Sequence, residues 1–139
     1  MQTVLEVKQV TKQYGQQYAL DHVSLSIQKG DIYGLIGKNG AGKTTLLKTI
    51  SRLIHANSGT VSVFGSQNSK EWNEALRKIG TVIETPVAYN QMTAYQNLNY
   101  YCKVHQIPQP DQLIKQTLDY VGLSNTGKKK FRNFSLGMK

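Results

Sequence analysis

The sequence is poor in cysteine and acidic residues, and it has no long apolar run. One cysteine among 139 residues excludes an internal disulfide and fits a reducing compartment. No apolar run approaches the roughly 20 residues that span a bilayer. The start, MQTVLEVKQV, lacks the basic region and apolar core of a signal peptide. The composition therefore predicts a cytosolic globular protein, either one domain or a large piece of one.

The scarcity of acidic residues leaves the chain strongly basic. Eight Asp and Glu stand against 17 Lys and Arg, which gives a formal net charge of +9. This charge is compatible with nucleic acid, an anionic membrane surface or a phosphate-rich ligand. The basic residues are scattered, and the one tight cluster, Lys128–Lys130 with Arg132, is typical of a solvated loop. His22, His55 and His105 lack metal-ligand spacing. Charge alone therefore does not identify a partner.

Residues 32–50, IYGLIGKNGAGKTTLLKTI, carry the strongest signal in the chain. The apolar run Ile32–Ile36 predicts a buried parallel strand. Residues 37–44 then fit the pattern G-x-x-x-x-G-K-[ST] at every fixed position. Apolar residues recur after it at helical spacing, namely Leu46, Leu47, Ile50, Leu53 and Ile54. The pattern therefore lies between a predicted strand and a predicted helix, which is where a phosphate-binding loop belongs.

The residue types in this loop suit a nucleotide phosphate. Glycines allow the backbone N–H groups to surround the phosphates, and the helix that begins near Gly42 adds the positive end of its dipole. Lys43 is predicted to reach the β- and γ-phosphates, and the Thr44 hydroxyl to bind Mg²⁺. The predicted phosphate-binding residues are Gly37, Asn39, Gly40, Ala41, Gly42, Lys43, Thr44 and Thr45.

The segments around the loop indicate which class of phosphate-loop protein this chain resembles. Two β-segments, TVLEVKQVTKQYG and ALDHVSLSIQKG, precede it, and SGTVSVFG follows as a further strand. A minimal kinase or GTPase usually has its loop near the start instead. The series VTKQYG…ALDHVSLSIQKGDIYGLIGKNGAGKTTLLKTI…SGTVSVFG resembles the ATP-binding subunit of ABC transporters, and in particular the bacitracin and lantibiotic exporter type.

The resemblance implies two further ligand contacts in this part of the chain. Tyr14 stands where the family places an aromatic residue that stacks on adenine, and Tyr18 is the alternative at the start of the next strand. Glu84, at the end of the predicted strand Gly80–Glu84, stands where most of the family has a glutamine that touches Mg²⁺. A carboxylate is also a suitable hard oxygen ligand for Mg²⁺. Thr85-Pro86 is predicted to close that strand.

Three helices are predicted after the third strand. Ser69 can cap the first, which carries Trp72, Ala75, Leu76 and Ile79 on one face. Thr93 and Gln96 form a capping-box pattern that opens the second, with Tyr95, Leu98, Tyr101 and Cys102 on one side. The third begins at Asp111, turns Leu113, Ile114, Thr117 and Val121 inward and ends at Gly122.

The family also gives meaning to the end of the sequence. Its helical subdomain leads into a signature, typically Leu-Ser-Gly-Gly-Gln, which FSLGM at residues 134–138 matches at the serine and at the second glycine. The resemblance implies that two such domains sandwich ATP head to tail. Ser135 and Gly137 would then contact, in trans, the γ-phosphate held by the partner's Lys43. Tyr89, Met92 and Tyr95 are candidates for contact with a membrane subunit, or else they pack within the domain.

These features predict an incomplete α/β P-loop NTPase of the ABC type. Residues 1–88 would form an antiparallel β part with the phosphate-loop core, and residues 89–139 a partial helical subdomain. The chain is expected to be an N-terminal piece without the catalytic glutamate, and so inactive alone. The whole protein would hydrolyse ATP with Mg²⁺ at the inner face of the cell membrane, with a membrane permease subunit and a second ATP-binding subunit. The alternatives are a soluble ABC ATPase that acts on ribosomes or DNA, a non-enzymatic nucleotide-binding module, and nucleic-acid binding through the basic loop. Because the subunit of an ABC transporter is the preferred interpretation, no nucleic-acid partner is expected.

Overall fold

A computed structural model describes residues 2–66, 69–84 and 88–139 of the chain. The chain divides into two compact units, Met1–Glu84 and Thr85–Lys139. The division into subdomains of residues 1–88 and 89–139 stays a prediction. The predicted Thr85-Pro86 strand end and the Ser69 side-chain cap lie outside what the structure describes.

The first unit contains an antiparallel sheet of three strands. Strand β1 spans Thr3–Tyr14, β2 spans Gln17–Gln28 and β3 spans Ser58–Val63, in the order β2-β1-β3. Gly15, with a φ of 58°, lies in the tight turn that joins β1 to β2, where Tyr14 pairs with Gln17. The predicted antiparallel β part is therefore confirmed.

Two helices pack their apolar side chains against this sheet. Helix α1 spans Lys43–Ile50, and its Leu46 is buried in a cluster with Val7, Val10 and Leu20 of the hairpin. Helix α2 spans Ser69–Leu76 and buries Trp72 and Ala75 beside Val63 of β3. The helix that carries the phosphate loop is thus anchored on the β1–β2 hairpin.

Two predicted strands of this unit are not formed. Residues 32–36 and 80–83 have no regular secondary structure, and most of their apolar side chains are exposed, with Ile36 95% and Val82 71% accessible. The described strands of the unit pair only with one another, so that these two segments receive no ladder of hydrogen bonds. A parallel strand forms only where neighbouring strands complete its hydrogen bonding.

Helix α1 is also shorter than predicted. It ends at Ile50 because the chain turns at Arg52, which has a φ of 54°. The Lys48 carbonyl oxygen accepts from the Leu53 N–H at 2.9 Å, which closes this turn. Leu47 and Leu53 are both exposed, although the spacing of the apolar residues predicts that they face the core.

The second unit is helical, and its helix ends follow the sequence signals. Helix α3 spans Ala94–Val104 and begins with the predicted capping box, in which the Thr93 hydroxyl accepts from the Gln96 N–H. Helix α4 spans Asp111–Tyr120 and is followed by Gly122, which has a φ of 69°. Short 3-10 turns follow at Ser124–Thr126, Phe131–Asn133 and Leu136–Met138.

The core of the second unit differs from the predicted one on α4. Its buried residues are Ala94, Cys102, Ile114, Leu118 and Phe134. The prediction that Leu113 and Val121 face inward is wrong, because both are exposed. Ile114 and Leu118 lie four residues apart and therefore share the buried face. None of the helices that the structure describes is long and apolar enough to cross a membrane.

Candidate functional site

The phosphate loop is held in place by the hairpin behind it. Gly42, the residue before helix α1, has a φ of 87°, a conformation that favours glycine. A Cβ atom at this position would lie 2.2 Å from the Ala19 carbonyl oxygen of β2. Both the conformation and the close approach therefore require glycine at residue 42. No sequence pattern connects Ala19 with Gly42, so this contact was not predictable from the motif.

Lys43 folds back over its own loop. Its ammonium group donates hydrogen bonds to the carbonyl oxygens of Gly37, at 2.6 Å, and of Lys38, at 2.8 Å. A Cβ atom at Gly37 would lie 3.2 Å from the Ala41 Cβ, so that the loop also closes tightly at its first glycine. The lysine that was predicted to bind phosphate is thus positioned by the backbone of the loop.

The loop and the hairpin turn line one cleft of about 360 Å³. From the loop and helix α1 the lining residues are Asn39, Gly40, Ala41, Gly42, Lys43, Thr44 and Thr45, and from the hairpin they are Tyr14, Gln17, Tyr18 and Ala19. The structure therefore brings Tyr14 and the loop together. It also adds Gln17 and Ala19, which sequence reasoning missed. Tyr14 and Tyr18 both line the cleft and are about half exposed, at 52% and 56%.

The electrostatic character of the cleft is positive. The first intrahelical hydrogen bond of α1 runs from the Leu46 N–H to the Gly42 carbonyl at 2.8 Å, so that the N–H groups of residues 43–45 precede it. Free N–H groups at a helix start, together with the helix dipole, favour an anion. The first turn contains no acidic residue, and the Lys12 ammonium lies 5.1 Å from the centre of the Tyr14 ring. This arrangement can bind a phosphate group beside an aromatic face.

Glu84 is not among the residues that line this cleft. Its carboxylate accepts a hydrogen bond from the Lys48 ammonium on α1, with 2.8 Å between Nζ and Oε1. Thr44, by contrast, is one of the residues that line the cleft. The two predicted magnesium ligands thus belong to the same unit, but Thr44 lies in the first turn of α1, whereas Glu84 lies outside the helix and pairs with its Lys48.

Ser135 and Gly137 lie in the second unit, just before and within the 3-10 turn Leu136–Met138, and both are exposed. Ser135 precedes the turn and makes no side-chain capping bond, and a Cβ atom at Gly137 would meet open space. Phe134, just before them, is buried in the core of the unit. The two predicted signature residues are therefore exposed to solvent directly after a buried aromatic residue.

Two of the residues considered for a partner contact take part in packing within their unit. The Tyr89 ring meets the Tyr100 ring edge-on, with 4.8 Å between centroids, and the Tyr100 hydroxyl raises the pKa of Tyr89. The Tyr95 hydroxyl donates to the Asp111 carboxylate, and this hydrogen bond raises the pKa of Tyr95. Tyr89 nevertheless remains partly exposed, at 45%.

The basic cluster also packs against its own unit. The Lys129 ammonium lies 5.7 Å from the centre of the Phe134 ring and 3.8 Å from the Met138 sulfur. The backbone N–H of Arg132 donates to the Asn90 carbonyl at 3.1 Å. Part of the cluster is thus engaged in cation–π and backbone contacts.

Together, the glycine loop before α1, the folded-back lysine and the hairpin beside them define the class of P-loop nucleotide-binding domains. The family model described as ABC transporter matches residues 20–139. The chain belongs to this ABC transporter family, as the resemblance predicted.

Known proteins of this family resemble the whole chain. It is 40% identical to the bacitracin transport ATP-binding protein BcrA of Bacillus licheniformis over 139 residues, which is 100% of this chain and 45% of that protein. It is 37% identical to the lantibiotic transport ATP-binding protein SrtF of Streptococcus pyogenes over 137 residues, 98% of this chain and 57% of that protein. The chain thus spans about half the length of these curated relatives.

The fold is also that of a solved ABC structure. The ADP conformation of an ATP-binding cassette of an ABC transporter aligns with a TM-score of 0.80 and 26% identity, over 99% of this chain and 61% of that one. The predicted fold class, a P-loop NTPase of the ABC type, is confirmed.

Proposed function

We propose that this protein is the ATP-binding subunit of an ABC exporter, and that it hydrolyses ATP to drive transport through a separate membrane subunit. The observation that carries the proposal is the cleft in which Lys43, the start of helix α1 and two tyrosines come together. A triphosphate suits its positive end and a purine suits its aromatic end.

The residues of the cleft take distinct roles toward ATP. Lys43 exchanges its bonds to the loop carbonyls for the β- and γ-phosphates, which the N–H groups of the loop surround. Thr45 supports the α-phosphate through its backbone or hydroxyl. Tyr14 stacks on adenine. The Thr44 hydroxyl, in the first turn of helix α1, is a suitable ligand for a hard cation such as Mg²⁺. Glu84 is the second candidate ligand for this cation. Mg²⁺, when bound, neutralises charge on the phosphates.

The proposed assembly supplies what one cleft lacks. A second ATP-binding subunit, head to tail, presents Ser135 and Gly137 to the γ-phosphate at Lys43. The membrane subunit holds the pair at the cytoplasmic face of the cell membrane, and Tyr89, Met92 and Tyr95 are its candidate contacts. The names of the relatives refer to bacitracin and lantibiotic transport, and they support a peptide antibiotic or a similar drug as the exported substrate.

The decisive experiment is an ATP-binding and ATPase assay on the whole protein with Lys43→Ala. Removing a charge-assisted contact to phosphate should lower ATP affinity or turnover by more than about 30-fold, because truncating such a buried pair costs about 2–5 kcal/mol. Lys38→Ala is the matched control, since that side chain is exposed in the same loop. Turnover that survives Lys43→Ala would contradict the proposal.

Thr44→Ala provides a second arm of the same assay. It should raise the Mg²⁺ concentration needed for half-maximal turnover more than it weakens nucleotide affinity, because it removes only a metal ligand. An unchanged magnesium requirement would exclude Thr44 from the metal site.

A further inference from the structure

The ion pair between Lys48 and Glu84 ties helix α1 to the end of the first unit. The two charged atoms are 2.8 Å apart, and the Glu84 side chain is 61% exposed. Glu84 also has a φ of 68°, in the left-handed region that residues other than glycine seldom adopt. A lysine of the helix thus holds a carboxylate on a backbone that is strained at this residue.

The pair has a defined place relative to the cleft. Lys48 lies four residues after Thr44 on α1, so that both project from the same face of the helix, about 6 Å apart along its axis. Thr44 lines the cleft and Glu84 does not. The carboxylate is therefore bonded to a lysine whose backbone lies about one helical turn beyond that of the threonine with which it would share a cation.

An exposed ion pair of this kind is weak, which makes it reversible. Such pairs contribute little because water screens them and because two long side chains must be ordered. A divalent cation carries twice the charge of an ammonium group and attracts a carboxylate more strongly at the same distance. A cation at Thr44 could thus draw the carboxylate from Lys48.

We propose that Lys48 is a positioning residue that competes with Mg²⁺ for the Glu84 carboxylate, so that Glu84 pairs with Lys48 while the cleft is empty and turns to the cation when nucleotide binds. The proposal rests on the proposed function, because it needs Mg²⁺ and nucleotide at Thr44. It assigns Lys48 a role that the phosphate-loop motif does not contain.

The test is a magnesium titration of ATP affinity on the whole protein. Lys48→Met should lower the Mg²⁺ concentration for half-maximal tight binding by about two- to fivefold, the size of an exposed ion pair. Lys48→Arg, which keeps the charge, should stay close to the parent. In a Glu84→Ala background Lys48→Met should change nothing. Lys78→Met, at an exposed lysine of the same unit, is the control for general loss of charge.

Thermal unfolding provides the second readout. Without nucleotide, Lys48→Met should lower Tm more in the parent than in the Glu84→Ala background, because only the parent loses the pair. With saturating ATP and Mg²⁺ the two decreases should become equal, since Glu84 has then left Lys48.

The outcomes separate this inference from the proposed function. An unchanged or raised magnesium midpoint in Lys48→Met, or an equal shift in the Glu84→Ala background, would overturn the role of Lys48. A difference in Tm that persists with ATP and Mg²⁺ would reduce the pair to a structural tie and overturn it as well. If the parent and Lys43→Ala bind Mg²⁺ and ATP alike, the proposed function fails instead.

Discussion

The phosphate loop and the Phe134–Met138 segment both carry glycines next to a helical turn, but they are built differently. The loop is pressed against strand β2, where a Cβ at Gly42 would lie 2.2 Å from a carbonyl oxygen, and Lys43 is bonded to the loop itself. In the segment, a Cβ at Gly137 would meet open space and Ser135 is exposed. The first is a candidate binding surface whose residues all belong to one unit. The second offers groups to solvent, as expected of a surface that a partner completes.

Alanine at each of these two glycines, Gly42 and Gly137, should have opposite effects on the protein. Gly42→Ala should destabilise the protein by about 2–5 kcal/mol and abolish tight ATP binding, because it combines a strained positive φ with a steric overlap. Gly137→Ala should leave Tm and the ATP affinity of a single copy unchanged. Thermal unfolding and titration with ATP measure both effects.

Equal losses of stability in the two variants would contradict this comparison. In that case the Phe134–Met138 segment would be as tightly packed in the whole protein as the phosphate loop. A loss of ATPase activity in Gly137→Ala without a loss of single-copy affinity would, in contrast, support its role in trans.

The second unit has a tight tether of its own, at Asn97 of helix α3. The buried side chain accepts from the Tyr89 N–H at 2.7 Å and donates to the carbonyls of Tyr89, at 3.2 Å, and Thr93, at 3.1 Å. Asn97→Ala should destabilise this unit by about 1–3 kcal/mol, because it leaves backbone groups without partners. Chemical denaturation followed by circular dichroism measures the loss.

Asn99→Ala, two residues further along the same helix, is the matched control and should cost little. ATP affinity should stay unchanged in both variants, because the cleft is formed by residues of the first unit. A loss of ATP affinity in Asn97→Ala would contradict the expectation that the first unit binds ATP independently of the packing of the second.

The sequence predicts those elements best whose hydrogen bonds join residues that are close in the chain. The Thr93 capping box and the Gly122 helix end are local, and both are present in the structure. The predicted strands at residues 32–36 and 80–84 needed partner strands, which an apolar run cannot reveal.

The same distinction holds within the candidate site. The motif itself identified the residues from Asn39 to Thr45 that line the cleft. The contact between Gly42 and Ala19 and the pairing of Lys48 with Glu84 join residues that are far apart in sequence. Only the folded chain could reveal them.

A smaller effect is expected at the aromatic end of the cleft. Tyr14→Ala should weaken ATP binding by about 1 kcal/mol, the lower end of the range for base–aromatic stacking, because the ring is half exposed. Tyr14→Trp should be tolerated. Isothermal titration with ATP measures the affinities, and Tyr18→Ala is the matched variant on the same turn. A larger loss in Tyr18→Ala than in Tyr14→Ala would move the stacking role to Tyr18.

The smallest effect concerns pH and distinguishes the second unit from the first. The Asp111 carboxylate accepts from the Tyr95 hydroxyl and raises the pKa of Tyr95 above its usual value near 10. A raised pKa in the folded state contributes stability that is fully present below pH 10 and is lost as the pH rises through the folded-state pKa. Urea unfolding at pH 8 and pH 11 measures this loss of stability. Between these two pH values, Tyr95→Phe should lose less stability than the parent. Tyr120→Phe, at a side chain that is 91% exposed, should follow the parent. If Tyr95→Phe also followed the parent, the hydrogen bond to Asp111 would contribute nothing to the stability of the helical unit.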